Sequence, residues 1–254
     1  MDFKSFGFSD PGKINKNNED SFLCNNDEGL FLVADGMGGH ASGETASKLA
    51  VTTVDEFITA SRAGDIKWPI TYRKELSLET NRILAGAYLG HLKIKEKSES
   101  ERSMKGMGTT IVGAVIDGKN LAIINVGDSR LYRIRDRAIK LLTIDHSLAM
   151  EHFKSGIISE DETAEHPLRH ILTRALGHIN SSSKIDTFKS EIMQKDLYLI
   201  CSDGLYTMVN EDKILKIIES VQDGSLYKIG LSLVLEANLA GGLDNITAVL
   251  ISFS

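Results

Sequence analysis

Residues 30–40 of this 254-residue chain are LFLVADGMGGH, and the rest of the sequence can be organised around them. The five apolar residues 30–34 predict a buried strand, because a short apolar run bounded by turn signals is typical of one. Asp35 directly follows this run, and the glycines after it predict a tight turn. A sheet would therefore hold Asp35 at the end of a strand, with its carboxylate facing a cleft.

Four further acidic positions stand in the same relation to an apolar run. Asp128 follows residues 121–127, Asp203 follows residues 197–202, Asp244 comes just before residues 246–251, and the pair Glu19-Asp20 precedes Phe22 and Leu23. Each Asp-Gly or Asp-Asn pair taken alone is also consistent with an ordinary turn. Spacing alone does not show that the five positions converge in space.

If these carboxylates do converge, they require a counter-charge, because none of them has a lysine or arginine directly beside it in the sequence. Like charges held close together repel, and a divalent cation relieves that repulsion. Oxygen ligands favour Mg²⁺ or Mn²⁺ over zinc. Two such ions can activate a water and stabilise an in-line displacement at phosphorus.

The periodicity predicts strands separated by two long helices rather than a regular alternation of strand and helix. The predicted strands are 30–34, 109–116, 121–126, 131–134, 197–201 and 246–251, with a hairpin turn at 117–120. Long amphipathic helices are predicted from about residue 43 and over 70–91, followed by an exposed loop at 93–105. Shorter helices are predicted at 147–155, 211–221 and 225–238.

Composition and charge narrow the class of protein. The formal net charge of −6 disfavours a general nucleic-acid binder, although a solvated acidic surface explains it as well as a metal site does. Cys24 and Cys201 lie beside apolar residues and predict isolated thiols, with no disulfide framework or zinc site. The N-terminus shows no signal-peptide pattern and no run is long enough to span a membrane, so we expect a cytoplasmic protein that does not bind membranes.

With its motifs in order, the chain resembles the metal-dependent protein phosphatases of the 2C type, especially their compact bacterial members. The resemblance runs from Phe8 to about Ile251, and no single motif carries it. The motifs are SDPG (9–12), NEDS (18–21), VADGMGGH (33–40), GE (43–44), GTT (108–110), VGDSR (126–130), LT (142–143), DHS (145–147), HP (166–167), LTRALG (172–177), SDGL (202–205) and DNIT (244–247).

The resemblance implies an α+β fold, a four-layer α-β-β-α sandwich in which helices flank two central antiparallel sheets. The metal site would lie at one end, between the sheets. We find no linker or internal repeat, so residues 1–254 are expected to form a single catalytic domain. Residues 147–167 resemble the mobile flap of the family, and their charged residues 160–162 are consistent with an exposed lid.

The resemblance also implies a ligand set for two Mn²⁺ or Mg²⁺ ions. Asp35 would bridge them, with the Gly36 carbonyl binding one. Asp203 and Asp244 would complete the first site, and Glu19 would serve the second, mainly through water. A third, weaker ion would use Asp128 together with Asp203.

The implied reaction is direct attack by a metal-bound hydroxide on phosphoserine or phosphothreonine, without a phosphoenzyme. Asp20 would orient metal-bound waters. His40 would act as a general acid or, alternatively, would only order the glycine-rich turn. Arg130 and Arg174 are expected to tie aspartates and loops together rather than bind substrate.

Two positions depart from the family pattern. Where relatives usually carry an arginine that holds the substrate phosphate, this chain has Asn15, flanked by Lys13 and Lys16. Asparagine brings neither a charge nor a bidentate fork, so we expect weaker phosphate binding unless a lysine substitutes. Thr207 replaces an acidic third-metal ligand found in some relatives, which weakens the case for a third ion.

Three functions therefore compete. The first is an active phosphatase that acts on phosphoproteins, opposes a cognate serine/threonine kinase and works as a monomer. The second is a catalytically weak or inactive regulator that binds phosphoproteins with the same fold, and Asn15 is the one feature that favours it. The third is a two-metal enzyme acting on another phosphoester, which the acidic charge disfavours for nucleic acid.

Overall fold

Eleven strands and six α-helices lie within residues 2–38, 41–64 and 66–254, the parts of the chain that the computed structural model describes. The strands are β1 (Phe3–Asp10), β2 (Asp20–Asn25), β3 (Leu30–Met37), β4 (Gly108–Thr109), β5 (Ile111–Asp117), β6 (Asn120–Val126), β7 (Arg130–Arg135), β8 (Ala138–Leu141), β9 (Asp186–Glu191), β10 (Leu197–Cys201) and β11 (Ile246–Phe253). The α-helices are α1 (Ala41–Ala63), α2 (Leu78–Ser100), α3 (Leu148–Lys154), α4 (Asp203–Tyr206), α5 (Glu211–Ser220) and α6 (Leu226–Leu239). Short 3₁₀ turns occupy Arg102–Met104, Asp161–Thr163 and Ser182–Lys184.

The strands form two antiparallel sheets. The first has the order β1-β11-β10-β7-β8, and the second has the order β2-β3-β5-β6-β9, with β4 paired to β3. Neighbours in the first sheet include strands from opposite ends of the chain, since β1 pairs with β11 along its whole length, from Phe3 opposite Phe253 to Asp10 opposite Ile246. The first and last strands of the described chain therefore lie side by side in one sheet.

Alternation along β3 shows how the layers are built. Phe31 and Val33 point into the core between the two sheets, whereas Leu32 and Ala34 point into the core beneath α1 and α2. Successive strand residues face opposite sides, so an apolar run buried on both sides belongs to an inner layer. A third core, which includes Leu199 and Leu233, lies between the first sheet and α4, α5 and α6. The four layers are the predicted α-β-β-α sandwich.

The second long helix differs from its prediction. It begins after Ser77, whose side chain accepts a hydrogen bond from Thr80 N, and not near residue 70. Ile70 and Leu76 pack against the core from the preceding loop, so their apolar character resembled a helical stripe. The helix also continues to Ser100 through the stretch predicted as an exposed loop, because lysine and glutamate are good helix formers that need no buried partner.

Four strands were missed, namely β1, β2, β8 and β9. Their sequences mix polar and apolar residues, and most of their side chains are only partly buried. They join the sheets through backbone pairing with neighbours that carry the apolar pattern. The hairpin turn was correct, since Asp117 pairs with Asn120 across a two-residue loop in which Gly118 has a φ of 61°.

Among the described helices, none has both the length and the apolar character that crossing a membrane would require. Cys24 and Cys201 are free thiols, and Cys201 is buried, as the sequence predicted.

Candidate active site

The pairing of β2 with β3 brings the first two acidic positions together. Asp20 lies directly opposite Asp35 in the antiparallel register. Residues opposite each other in such a pair have Cβ atoms about 5 Å apart. Two carboxylates so close would repel each other in the absence of a cation.

The backbone of Asp35 is fixed from the neighbouring strand. Asp35 N donates to Thr110 Oγ1 at 2.9 Å, and the Asp35 carbonyl accepts from Thr110 N at 2.8 Å. Gly36 follows in a crowded position, where a Cβ would lie 2.1 Å from the Gly43 carbonyl oxygen. Only glycine fits there, so α1 starts directly beside Asp35.

Asp20 is buried, and its two oxygens have different surroundings. Oδ2 accepts from Ser202 Oγ at 2.7 Å and from Thr247 Oγ1 at 2.6 Å. Oδ1 is buried but has no hydrogen-bond partner among the described residues. A buried oxygen without a donor is costly for a protein unless something else binds there.

Asp128 lies in the turn between β6 and β7. Gly127 has a φ of 104°, and a Cβ there would lie 2.6 Å from Thr110 Cγ2, so the turn requires glycine. Tyr206 Oη donates to the Asp128 carbonyl at 3.1 Å, which ties the turn to α4. The Asp128 side chain is buried and takes no part in the ion pair that Arg130 makes nearby with Asp145 at 2.7 Å.

Asp203 and Asp244 approach from adjacent strands of the first sheet. Asp203 begins α4 directly after β10, and Asp244 precedes β11. A Cβ on Gly204 would lie 2.1 Å from the Asn245 carbonyl oxygen, so glycine lets the two segments touch. The Asp203 side chain is 17% exposed, and its one ion-pair contact among the described residues is with His170 Nδ1, at 4.0 Å from Asp203 Oδ2. Burial lowers the pKa of His170, which favours its neutral form.

These positions line one cavity of about 870 Å³. Seven of the nine residues predicted for the site lie in its wall: Asn15, Glu19, Asp35, Gly36, Asp128, Asp203 and Asp244. Asp20 stands behind this wall, paired with Asp35. His40 lies outside the described residues.

The carboxylates in and behind the cavity wall raise one another's affinity for protons. Burial raises the pKa of Asp20 to about 7 and that of Asp203 to about 6, and neighbouring negative charges, including Asp244, add to the effect. Burial first, and then the charges of the other aspartates, raise the pKa values of Asp35 and Asp128 well above the ordinary range. Burial accounts for most of these shifts, and the repulsion between the aspartates that adds to them would be relieved by a bound cation.

The same residues fit a hard divalent cation by their chemistry. Every candidate ligand is an oxygen, and the buried Oδ1 atoms of Asp20 and Asp203 have no donor among the described residues. As the side chains stand, no three His, Cys, Asp or Glu residues of the described chain form a group that could hold an ion. Several oxygens instead accept from protein donors, so carboxylates would have to turn for an ion to bind.

Other predicted roles have mixed outcomes. Arg130 and Arg174 bind Asp145 and Asp186, so both tie loops together as expected. Asn15 reaches the site, but its side chain donates to Asp244. Thr207 Oγ1 donates to the Asp203 carbonyl one helical turn back at 2.7 Å, so it bonds the helix backbone.

Sequence reasoning did not assign roles to several residues that build the site. Ser202 and Thr247 fix Asp20, and the Asn245 side chain joins the segment that carries Asp244 to residues 11–19. All three belong to quoted motifs, so their place beside the aspartates was the available signal. His170 also lines the cavity, but it has no distinguishing pattern in the sequence.

Residues 147–167 connect to the wall of this cavity. Ser147 caps α3, and a single bridge joins it to Leu172, which lies in the cavity wall. A second cavity of about 610 Å³ lies between this region and α4, with Met150, Thr163 and Tyr206 in its lining. Asp203, Asp244 and His170 line both cavities.

The family model described as protein phosphatase 2C matches residues 13–226. The serine/threonine phosphatase stp of Listeria monocytogenes serotype 4b is 36% identical over 250 residues, which cover 96% of this chain and 93% of that protein. The chain is therefore similar to a named phosphatase over nearly its whole length.

Solved structures give the same result. The crystal structure of the Mycobacterium tuberculosis serine/threonine phosphatase PstP/Ppp is similar with a TM-score of 0.85 and 30% identity, over 99% of each chain. The catalytic domain of PstP in complex with two manganese ions is similar with a TM-score of 0.80 and 29% identity, over 98% of this chain and 97% of that one.

Proposed function

The chain belongs to the protein phosphatase 2C family and is a metal-dependent serine/threonine phosphatase; from this premise we propose that its reaction takes place in the acidic cavity. The observation that carries the proposal is the convergence of Glu19, Asp35, Asp128, Asp203 and Asp244 on that cavity from five separate segments of the chain.

Each carboxylate has a proposed place in the metal centre. Asp35 would hold both ions, and the Gly36 carbonyl would be a further ligand for one of them. Asp203 and Asp244 would be ligands for one ion, and Glu19 would serve the other, mainly through water. Mn²⁺ or Mg²⁺ bound there would supply charge stabilisation for the phosphoryl group and would lower the pKa of water. Asp128, with Asp203, is the proposed ligand pair for a third ion.

Asp20 holds a water in place rather than binding the substrate. Ser202 and Thr247 fix its Oδ2, which leaves the buried Oδ1 to accept a hydrogen bond from a water in the site. A carboxylate locked by two hydroxyls keeps its orientation during the reaction, which lowers the entropic cost of attack.

Lys16 is the proposed partner for the substrate phosphate. It lines the cavity, whereas Lys13 uses its backbone N–H to bond Gly242 and is not in the cavity wall. An ammonium is a point charge, so it can stabilise a phosphate without the geometric selectivity of a guanidinium. His40 remains the proposed general acid.

The alternative of a binding-only regulator has no support in the site. All the carboxylates that the metal centre requires are present, and they converge. The identity of the cognate kinase, the choice between Mn²⁺ and Mg²⁺, a monomeric state, a cytoplasmic location and the organisation as one domain with a flap at 147–167 stay predictions.

Hydrolysis of para-nitrophenyl phosphate and of a phosphothreonine peptide tests the function directly. Purified full-length protein should release phosphate from both with Mn²⁺ and should stop with excess EDTA. Activity that resumes when Mn²⁺ is added back would show that EDTA acted on the metal rather than on the fold. No release with any divalent metal, from protein shown to be folded by circular dichroism, would overturn the proposal.

A further inference from the structure

Two loops lie side by side at the mouth of the cavity, and hydrogen bonds join them along their length. These loops are residues 11–19 and residues 242–245. The bonds run from Lys13 N to Gly242 O at 2.8 Å, from Asn245 Nδ2 to the carbonyls of Pro11 and Asn17 at 3.0 Å each, and from Glu19 N to Asn245 Oδ1 at 2.7 Å.

The close approach of the loops depends on Gly12. This residue has a φ of 75°, and a Cβ there would lie 2.2 Å from the Asp244 carbonyl oxygen. Both observations exclude a larger residue without rearrangement. The backbone on either side of Asn15 is therefore held firmly against the segment that carries Asp244.

Within this framework the Asn15 side chain points at a proposed metal ligand. Asn15 Nδ2 donates to Asp244 Oδ1 at 2.7 Å. Since an ionised carboxylate can only accept, the amide nitrogen must be the atom that faces it. Asn245 N donates to the same oxygen at 2.8 Å, so Oδ1 accepts two hydrogen bonds.

We propose that Asn15 is a positioning residue for Asp244. The Asn15 amide binds Oδ1 of Asp244 and thereby leaves Oδ2 of Asp244 as the oxygen that would ligate a metal. This inference rests on the proposed metal centre. It assigns Asn15 a different role from the phosphate-binding one that its place in the sequence suggests. Because its amide is engaged by Asp244, Asn15 contributes little to binding the substrate phosphate.

The chemistry of an amide suits this role. A guanidinium at position 15 would place a full positive charge beside a carboxylate that binds a cation, and would compete with the metal for that carboxylate. An amide orients the oxygen without adding charge. Partners that orient metal ligands typically change metal affinity by about 10–100-fold when removed. Asn15 is exposed, so we expect about tenfold.

The test compares Asn15→Leu with the matched control Asn17→Leu in the full-length protein. Leucine has nearly the shape of asparagine but donates no hydrogen bond. Asn17 lines the same cavity, is exposed, and makes no side-chain hydrogen bond among the described residues. Mn²⁺ binding is measured by isothermal titration calorimetry and by electron paramagnetic resonance after EDTA treatment, and KM for para-nitrophenyl phosphate is measured at saturating Mn²⁺.

The expected result is selective. Asn15→Leu should raise Kd about tenfold for one class of Mn²⁺ site and leave the other unchanged, with KM within about twofold of the parent. Asn17→Leu should match the parent in both measurements. Such a pattern identifies a residue that acts through one metal ligand.

Three outcomes would count against the inference. Unchanged Mn²⁺ binding with a raised KM in Asn15→Leu would return Asn15 to the phosphate-binding role. Equal weakening in Asn15→Leu and Asn17→Leu would indicate general damage to the loop. If the parent itself bound no Mn²⁺, the proposed metal centre would fail, and this inference with it.

Discussion

Two aspartates at opposite ends of strand β10 differ in their hydrogen-bond partners and in the direction of their pKa shifts. Asp196 directly precedes β10, and Asp203 follows it after one intervening residue. Asp196 is fully buried and Asp203 is largely buried. Sequence context hardly distinguishes them, because both stand beside the same apolar run.

Asp196 is satisfied by the protein alone. Arg135 Nε and Nη2 each donate to it at 2.6 Å, and Met193 N and Tyr198 Oη donate as well. Burial by itself would raise the pKa of Asp196, but the hydrogen bonds from Arg135 and Met193 outweigh it, and the pKa lies below its ordinary value.

Asp203 is left unsatisfied. Its Oδ1 has no donor among the described residues, and burial together with the charge of Asp244 raises its pKa to about 6. The comparison teaches that burial of a carboxylate does not mark function. The mark is burial without a protein cation, which leaves room for a metal.

The largest expected effect comes from removing the negative charge of Asp203, the aspartate whose Oδ1 has no donor among the described residues. Asp203→Asn should lower kcat at least about a thousandfold, because metal ions supply several kcal/mol of charge stabilisation. The fold should remain, since one source of repulsion is gone. Steady-state kinetics with Mn²⁺ and thermal unfolding check both points, and Asp35→Asn should behave alike. Activity near that of the parent in either folded variant would show that the site lies elsewhere.

The same substitution at Asp196, whose oxygens are bound by protein donors, should lower the stability of the fold and leave catalysis intact. Asp196→Asn leaves the Arg135 guanidinium without its anion and should cost about 3 kcal/mol of unfolding free energy. Urea denaturation at neutral pH measures this loss. Turnover per folded molecule at low temperature should stay within about threefold of the parent. An unchanged urea midpoint would mean that the ion pair adds nothing to stability.

The contribution of these aspartates to stability should also depend on pH, in one direction for Asp196 and in the other for Asp203 and its neighbour Asp20. Because the pKa values of Asp20 and Asp203 are raised to about 7 and about 6, the folded state without metal binds more protons than the unfolded chain, whose aspartates titrate near 3.8. In EDTA, this contribution to stability should therefore be full below about pH 4 and lost as the pH rises through about 7.

Thermal unfolding at about pH 5.5 and about pH 8 tests this dependence. In EDTA the Tm should fall by about 4 °C or more as the pH rises, and saturating Mn²⁺ should reduce or reverse the fall. Asp20→Asn, which cannot titrate at that position, should show a smaller fall in EDTA than the parent. If Tm changed with pH to the same extent with and without Mn²⁺, these carboxylates would not be the groups that bind the metal.

The smallest expected effect comes from placing an arginine in the cavity that Asp203 lines, at position 15 beside Asp244. Asn15→Arg should lower KM for para-nitrophenyl phosphate about threefold, because a guanidinium can bind phosphate in a bidentate manner. It should also weaken Mn²⁺ binding, since Asp244 loses its neutral donor. Initial rates at several Mn²⁺ concentrations separate the two effects. An unchanged KM would indicate that Lys16 already supplies the cation.

Prediction from the sequence succeeded where the signal was local. The apolar runs of β3, β6, β10 and β11 were found, as was the two-residue hairpin with Gly118. It failed where partly buried side chains left no apolar run, as in β1 and β9, and where a loop residue, Leu76, continued the apolar stripe of the helix that follows it. The convergence of the aspartates was suggested by their shared position at the ends of apolar runs. The order of the motifs that contain them also resembled that of the 2C-type phosphatases.

The sequence by itself determined which oxygen ligands are available, that they stand beside apolar runs, and that none of them has a lysine or arginine as its immediate neighbour in the chain. Only the tertiary structure decided that Asp20 lies opposite Asp35 and that Asn15 bonds Asp244 across 229 positions. It also decided that Asp196 pairs with Arg135, whereas Asp203 has no arginine or lysine partner among the described residues. The physical reason is the distance along the chain over which each kind of interaction acts. Periodicity and turn chemistry constrain residues within a few positions of each other, whereas register and loop packing are set by contacts between segments that share no local pattern.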